Sequence, residues 1–265
     1  MCYQYYMNSI KLNYDQIASE YNQRYPATQQ WERGQALLEL ATGLKAKTIL
    51  EVGSGTGYWL NLLHQITNGL YGLDYSMGMI QQARHQPATL NLARGTGTQL
   101  PYQSGTFDLI YCVDAIHHFG NHRAFIQEAF RLLKPNGALA IIGHDPHDEG
   151  LPSWYIYNYF DTVYDTDLRR YPAGTSIMKW MEQDGFTDIS TQTVERIQNI
   201  HVGDAVLKDP FIKHNATSQL ALLSEETYQT GLKRINEALA EAKEKNERIV
   251  FRSEINVKMF LGHKK

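Results

Sequence analysis

Between residues 48 and 143, short apolar runs alternate with stretches of helical spacing, a rhythm that few chain topologies accommodate. Thr48 to Val52 has the composition of a buried strand, and "GYWLNLLHQI" follows it with Trp59, Leu62, Leu63 and Ile66 on one helical face. A second strand, Leu70 to Leu73, ends at Asp74, after which Ser76 stands where an N-cap belongs for a helix running through Ile80 and Ala83. Asn91 to Ala93 reads as a weak third strand, "FDLIYCV" (107 to 113) as a strong fourth and "ALAIIG" (138 to 143) as a fifth. The helix between the last two carries Phe125, Ile126, Ala129, Phe130 and Leu133 on one side and is stopped by "KPNG", with Gly137 at the left-handed cap position. The alternation predicts parallel βαβ units, hence an open, doubly wound α/β sheet covered on both faces. Ligands of such sheets sit at the carboxyl ends of the strands, and the first of those ends runs into "GSGTG", residues 53 to 57.

Past residue 144 the rhythm changes. Residues 151 to 172 are rich in aromatic side chains, among them Trp154, Tyr155, Tyr157, Tyr159, Phe160 and Tyr164. A helix from Ser176 to Gln183 stops at Gly185, and Thr187 to Ile200 reads as a strand. A polar segment then leads to a long helix with Tyr228, Leu232, Ile235 and Leu239 on its apolar side, and residues 247 to 262 look like a closing strand. The helical insertion between the last two strands is expected to form a lid over the active edge of the sheet.

A glycine-rich turn after a first strand lets backbone N–H groups approach a ligand, and an acid about twenty residues on is placed for a ribose. Dinucleotide enzymes share that feature, but their third glycine position is held here by Tyr58, where close helix packing needs a small residue. What stands instead is an acid followed by alternate glycines: Glu51, Gly53, Gly55 and Gly57. This resembles the nucleotide loop of the class I S-adenosylmethionine (SAM) dependent methyltransferases, in their small-molecule branch. "LDYS" (73 to 76), "LPYQSGTFDLIYCVDAIHHF" (100 to 119) and "EAFRLLKPNGALAI" (128 to 141) resemble that family's successive motifs, and "YDQIASEYNQRY" (14 to 25) resembles its N-terminal capping helix. The resemblance implies a Rossmann-like, seven-stranded sheet with a helical lid insertion, SAM as cofactor and S-adenosylhomocysteine as product. The corresponding division is 1–45 for N-terminal capping helices, 46–150 for the SAM-binding core, 151–246 for a substrate-recognition or lid segment with late core elements, and 247–265 for the closing strand.

The family implies roles for matching positions. Glu51, Gly53, Ser54, Gly55 and Gly57 would surround the methionine part of the cofactor, Asp74 would accept hydrogen bonds from both ribose hydroxyls, and Tyr75 or Met79 would pack on adenine. A carboxylate accepting from two hydroxyls makes charge-assisted bonds, each worth about 1.5–3 kcal/mol. The competing role for Asp74 is an acid at a helix N-terminus, favoured by the macrodipole. Many relatives carry Gly-Asp ahead of the "LP" motif, whereas this chain has Gly95 and Thr96. A hydroxyl accepts more weakly there, so adenine recognition falls on the backbone around Gly97 and Thr98. Cys112, near the end of the fourth strand, is placed beside the cofactor, and Tyr14 and Tyr21 on the N-terminal segment would close the other side.

A sulfonium methyl is already activated, so the protein's main task is to align the acceptor with it and exclude water. A general base adds about 10²–10⁴-fold where the acceptor must lose a proton. "VDAIHHF" brings Asp114, His117 and His118 to the expected methyl, and "GHDPHDE" brings His144, Asp145 and His147 nearby. Adjacent histidines on regular backbone do not both point into one pocket, so His117 is the expected base and His118 packs, caps or touches substrate; a purely structural histidine is the competing role for His117. Asp114 would bind the cofactor's ammonium or an acceptor amine, or cap the helix behind its strand. His144, Asp145, His147, Asp148 and Glu149 include enough metal-ligand types on paper, but consecutive charges in a loop are usually solvated, and no metal is expected. Trp154, Tyr155 and Tyr159 would wall the acceptor or form the core of the lid.

A net charge of −3 provides no general attraction to nucleic acid or to an anionic membrane, so a small-molecule methyl acceptor is the expected partner. Cys2 and Cys112 form neither a disulfide framework nor a metal motif. No secretory signal or spanning segment is visible, which predicts a cytoplasmic protein. The (D/N)PP(Y/F) motif of nucleic-acid amino-methyltransferases is replaced by "CVDAIHH". The expected function is methyl transfer to an oxygen or nitrogen of an apolar, aromatic small molecule. The alternatives are a non-catalytic SAM-binding module, or tRNA modification through a local patch at Lys208, Lys213 and His214.

Overall fold

The computed structural model describes residues 12–18, 21, 31–148 and 153–265. Strands β1 (Thr48–Val52), β2 (Gly69–Asp74), β3 (Asn91–Arg94), β4 (Phe107–Val113) and β5 (Leu133–His144) are parallel, in the order β3-β2-β1-β4-β5. Past β5 come β6 (Ser153–Trp154), β7 (Thr187–Val202) and β8 (Val250–His263), of which β8 runs antiparallel to β5 and β7 antiparallel to β8. The result is the mixed seven-stranded sheet of the Rossmann-like α/β class, with two-residue β6 added on β8.

Helices α1 (Glu32–Gly43) and α2 (Tyr58–Leu63) cover one face; α4 (His122–Leu132) and α7 (Gly174–Gln183) cover the other, and α3 (Met77–Ala83) follows β2. Side chains alternate across a strand, so Ile110 and Cys112 of β4 join Phe125, Ile126 and Met181, while Leu109, Tyr111 and Val113 join Leu37, Leu60 and Leu63; Phe107, ahead of a register shift, joins the first group. Burial on both faces explains why β4 reads as an unbroken apolar run.

The chain turn after α4 differs from expectation. Leu133 is already extended (φ −68°, ψ 139°), and the left-handed residue is Asn136 (φ 66°), not Gly137. Pro135 disfavours a helical Lys134, so the helix ends early and β5 begins there. Gly137 is required for space: a Cβ would lie 3.0 Å from the carbonyl oxygens of Asp108 and Lys134. At the N-terminus, the family's capping helix over 14 to 25 is met by a 3-10 turn at Tyr14–Gln16, with residues 19–20 and 22–25 outside the described residues. Asp15 Oδ1 accepts from Ser76 Oγ (2.6 Å) and Gly78 N (2.7 Å), tying this segment to the start of α3.

The β7–β8 hairpin is longer than the sheet needs. Val257 of β8 faces His144, the last residue of β5, and beyond that point Val250–Asn256 pair only with β7 and the short β6. This overhang carries the lid, built from α5 (Tyr155–Tyr159), α6 (Val163–Arg170), α8 (Ser218–Ala221) and α9 (Glu225–Glu244). Trp154, Phe160, Ile212, Leu220, Ile235 and Phe251 give the lid a core of its own. Gly231 lets α9 close onto it, since a Cβ there would meet the Phe160 ring at 2.2 Å. The insertion between the last two strands therefore supplies only part of the lid; α5 and α6 precede β7. Among the described residues, no helix is long and apolar enough to cross a membrane.

Candidate active site

The loop after β1 reverses the chain through three glycines in the left-handed region, Gly53 (φ 76°), Gly55 (φ 51°) and Gly57 (φ 73°), where side chains are disfavoured. Gly53 and Ser54 donate their N–H groups to Leu73 O (2.8 and 3.0 Å). Asp74, at the carboxyl end of β2, accepts from Gly55 N (2.7 Å) and Ser76 N (2.8 Å), so the loop and the start of α3 fix its carboxylate. Burial raises its pKa against the lowering effect of those N–H groups. Ser76 caps α3 as expected, accepting from Met79 N. Beneath the loop Glu51 is buried; Oε2 accepts from the Tyr111 hydroxyl at 3.2 Å, while Oε1 has no partner among the described residues. Burial pushes this carboxyl well above the usual range. Tyr75 is 62% exposed with the Arg94 guanidinium over its ring, and Met79 is buried. The Thr96 and Thr98 hydroxyls lie 3.4 Å apart, and a Cβ at Gly97 would meet the Phe119 ring at 2.8 Å.

A cavity of about 200 Å3 lies at the carboxyl ends of β4 and β5, beneath the lid. Asp114 leaves β4 in the left-handed region (φ 49°), and the chain enters a 3-10 turn at Ile116–His118. Because this backbone is not regular, His117 and His118 both line the cavity, with ring centroids 3.9 Å apart, contrary to the expectation that only one would. His118 Nε2 lies 2.7 Å from the Tyr14 hydroxyl. His117 stacks on Tyr171 (4.0 Å, 17°), and neither of its ring nitrogens has a hydrogen-bond partner among the described residues. His144, from the end of β5, lines the same cavity, its Nε2 3.2 Å from the Tyr157 hydroxyl. Burial lowers all three imidazoles: His118 to about 3, His144 to about 4 and His117 well below its ordinary value. The loop packs against the segment that leads into the cavity: a Cβ at Gly53 would lie 2.6 Å from Ala115 Cβ, just before the turn that carries both histidines.

The "Methyltransferase domain" family model matches residues 50–141, a span holding the glycine loop, Asp74 and the histidine turn. Residues 50–141 form a methyltransferase domain, and the sheet they belong to has the class I SAM-dependent methyltransferase fold. The chain is 30% identical over 136 residues to malonyl-[acyl-carrier protein] O-methyltransferase of Salmonella typhimurium, covering 50% of this chain and 52% of that protein. The chain spans about half the length, or less, of the first curated relatives it matches. In fold it is similar to the YcgJ protein of Bacillus subtilis (18% identity, TM-score 0.56, covering 88% of this chain and 97% of that one). It is similar also to a phosphoethanolamine N-methyltransferase 2 of Haemonchus contortus, solved with phosphomonomethylethanolamine and S-adenosylhomocysteine (19% identity, TM-score 0.58, covering 94% and 57%).

SAM is the cofactor of this methyltransferase family, and the residues present fit it. The orphaned Glu51 oxygen is a buried acceptor suited to a cationic amino group, the Asp74 carboxylate is held at the carboxyl end of β2 by Gly55 N and Ser76 N, and the space beside Gly55 is open, with nothing within 4 Å of a Cβ there. Cys112 does not join this set. The two-residue period of β4 turns it into the core against α4 and α7, completely buried, and burial pushes its thiol pKa up.

The other expected site residues divide between the cavity and structural contacts. Asp114 and Arg33 both line the cavity and are ion-paired, and the Arg33 guanidinium also binds Glu195 through Nε (2.7 Å) and Nη2 (3.0 Å). Arg33 gave no local signal, since α1, β4 and β7 meet only in the fold. Asp145 caps α7, accepting from Gly174 N (2.8 Å), and His147 Nε2 lies 3.0 Å from Tyr171 O. Asp148 pairs with Lys258, and Glu149 lies outside the described residues. Trp154 lines the cavity, whereas Tyr155 donates to Asp209 (2.7 Å) within the lid core and Tyr159 packs on Phe251. Tyr14 and Tyr21 line the same cavity. Trp31, Tyr171 and Gln219 also line it and were not anticipated.

Proposed function

We propose that the protein transfers the methyl group of SAM to an oxygen or nitrogen of an apolar, aromatic small molecule held beneath the lid. The observation that supports this most is adjacency: the glycine loop packs on Ala115, just before the turn carrying His117 and His118, and both histidines line a cavity faced by Tyr14, Tyr21, Trp31, Trp154 and Tyr171. Aromatic walls take up a flat apolar acceptor, and neutral imidazoles supply hydrogen bonds that orient its polar atom. When bound, SAM supplies an electrophilic methyl carbon with a neutral thioether as leaving group. Glu51, the glycine loop and Asp74 hold it; the cavity residues align the acceptor and keep water out.

Calorimetric titration with SAM, S-adenosylhomocysteine and NAD, on wild type and Asp74→Ala, tests the reading. The first two are expected to bind, with Kd raised at least about tenfold in the variant, as befits the loss of one charge-assisted hydrogen bond or more. Binding of NAD alone, or SAM binding indifferent to Asp74→Ala, would sink it. Methyl transfer from labelled SAM to a library of phenols and aromatic amines then identifies the acceptor.

A further inference from the structure

We propose that His144, rather than His117, takes the acceptor's proton, held in one tautomer by a relay through Tyr157 to Asp167. The inference deepens the methyl-transfer reading and rests on it for the identity of the proton donor.

The two histidines differ in what stands behind them. His117 is buried with both ring nitrogens unpartnered among the described residues, so nothing sets its tautomer and nothing compensates an imidazolium. His144 has a chain of partners. Its Nε2 lies 3.2 Å from Tyr157 Oη; Tyr157 Oη donates to Asp167 Oδ2 at 2.8 Å; and Gln219 Nε2 donates to the same oxygen at 3.1 Å while reaching the Tyr171 hydroxyl at 2.9 Å. Asp167 is 1% exposed, at the core of the lid. A phenol has one proton, and Tyr157 gives it to the carboxylate. The Tyr157 oxygen can then only accept from His144, which places the imidazole hydrogen on Nε2 and leaves Nδ1 as the basic nitrogen of a side chain that lines the cavity.

The proton step balances. The acceptor's X–H bond breaks, its electron pair stays on X to form the bond to the methyl carbon, the methyl–sulfur bond would break with its pair kept by the neutral thioether, and the proton goes to Nδ1. The imidazolium so formed keeps its Nε2–H on Tyr157, which passes the charge to Asp167 as a polarised hydrogen bond. This requires an acceptor with a proton to lose, a phenol, hydroxyl or ammonium, and gives His117 the separate task of hydrogen bonding the acceptor from its unpartnered ring.

Long-range proton–nitrogen correlation on the full chain with labelled histidine reads the tautomer without substrate. The His144 signal is the one lost in His144→Gln. In wild type it is expected to show Nε2 protonated and Nδ1 bare, and Tyr157→Phe, which keeps the ring packed on Trp154 and Tyr164, should convert it to a tautomer mixture. Asp167→Asn is a second variant with the same expected outcome. A protonated Nδ1 in wild type, or a tautomer unmoved by both variants, would overturn the relay. Once an acceptor is known, His144→Gln should lower kcat about 10²–10⁴-fold with KM little changed, and His117→Gln should mainly raise KM; the reverse pattern would overturn the assignment. SAM titration of the same variants should match wild type, so failure of the relay is distinguishable from failure of cofactor binding.

Discussion

Single residues of the glycine loop separate stability from binding. Gly53 and Gly55 both have positive φ, which costs a side chain about 1–2 kcal/mol. A Cβ at Gly53 would also sit 2.6 Å from Ala115 Cβ, whereas one at Gly55 meets nothing within 4 Å. Gly53→Ala is therefore expected to lower the denaturation midpoint more than Gly55→Ala, and Gly55→Ala to weaken SAM affinity while leaving most of the stability. Denaturant titration with calorimetry on both variants checks this; equal stability losses would mean that Ala115 is not the obstacle. The histidine turn shows the same economy of conformation, since one left-handed residue, Asp114, lets two consecutive imidazoles face one cavity.

At the scale of elements, the β7–β8 hairpin is what turns a cofactor-binding sheet into a lidded site. It continues beyond β5, carries the helices of the lid and receives α1 through Arg33. Arg33 and Glu195 are both buried, so truncating one leaves the other charge without its counterion. Arg33→Met should cost about 3–5 kcal/mol, and adding Glu195→Leu should recover much of it, because a buried ion pair is often replaceable by apolar packing. A double-mutant cycle by denaturant unfolding measures this. Additive losses would show that the pair is not coupled and that α1 is held to the hairpin by its apolar contacts alone.

For the whole molecule, the cluster of buried imidazoles makes stability depend on pH. His117, His118 and His144 have folded pKa values below the ordinary 6.5, near 3 for His118 and 4 for His144. The unfolded chain therefore binds more protons than the native one between those values and 6.5, and the stability these groups contribute is fully present above 6.5 and lost as pH falls toward 3 to 4. The slope approaches about 1.4 kcal/mol per pH unit for each histidine. Asp167 works in the opposite sense: its carboxyl is raised to about 6, so it favours the fold as pH falls through that value. Glu51 and Asp74, also raised by burial, add to that opposite sense, so the histidine share is read by difference: between pH 7 and pH 5 wild type is expected to lose more stability, or gain less, than His118→Gln/His144→Gln. Identical pH profiles for the two would mean that water enters the cavity and solvates the imidazoles.

The places of the first five strands along the chain, the glycine loop, the Ser76 cap and the position of Asp74 were legible in the sequence, because each rests on a contiguous stretch whose period or backbone conformation is set locally. The same locality made "KPNG" misleading: a cap motif was read where Pro135 and the approach of Gly137 to Asp108 instead begin β5. Tyr155 and Tyr159 shared one aromatic stretch with Trp154, and only the packing of α5 on α9 and β8 decided which of them faces the cavity. Arg33 with Glu195 and Asp114, or His144 with Tyr157, Asp167 and Gln219, meet from elements far apart in the chain. The sequence by itself determined the sheet and the cofactor it serves, since strand period and a glycine loop are written in neighbouring residues. The tertiary structure alone decided the cavity and the His144–Tyr157–Asp167 chain beside it, since buried charges and imidazoles acquire their partners only when elements distant in sequence pack together.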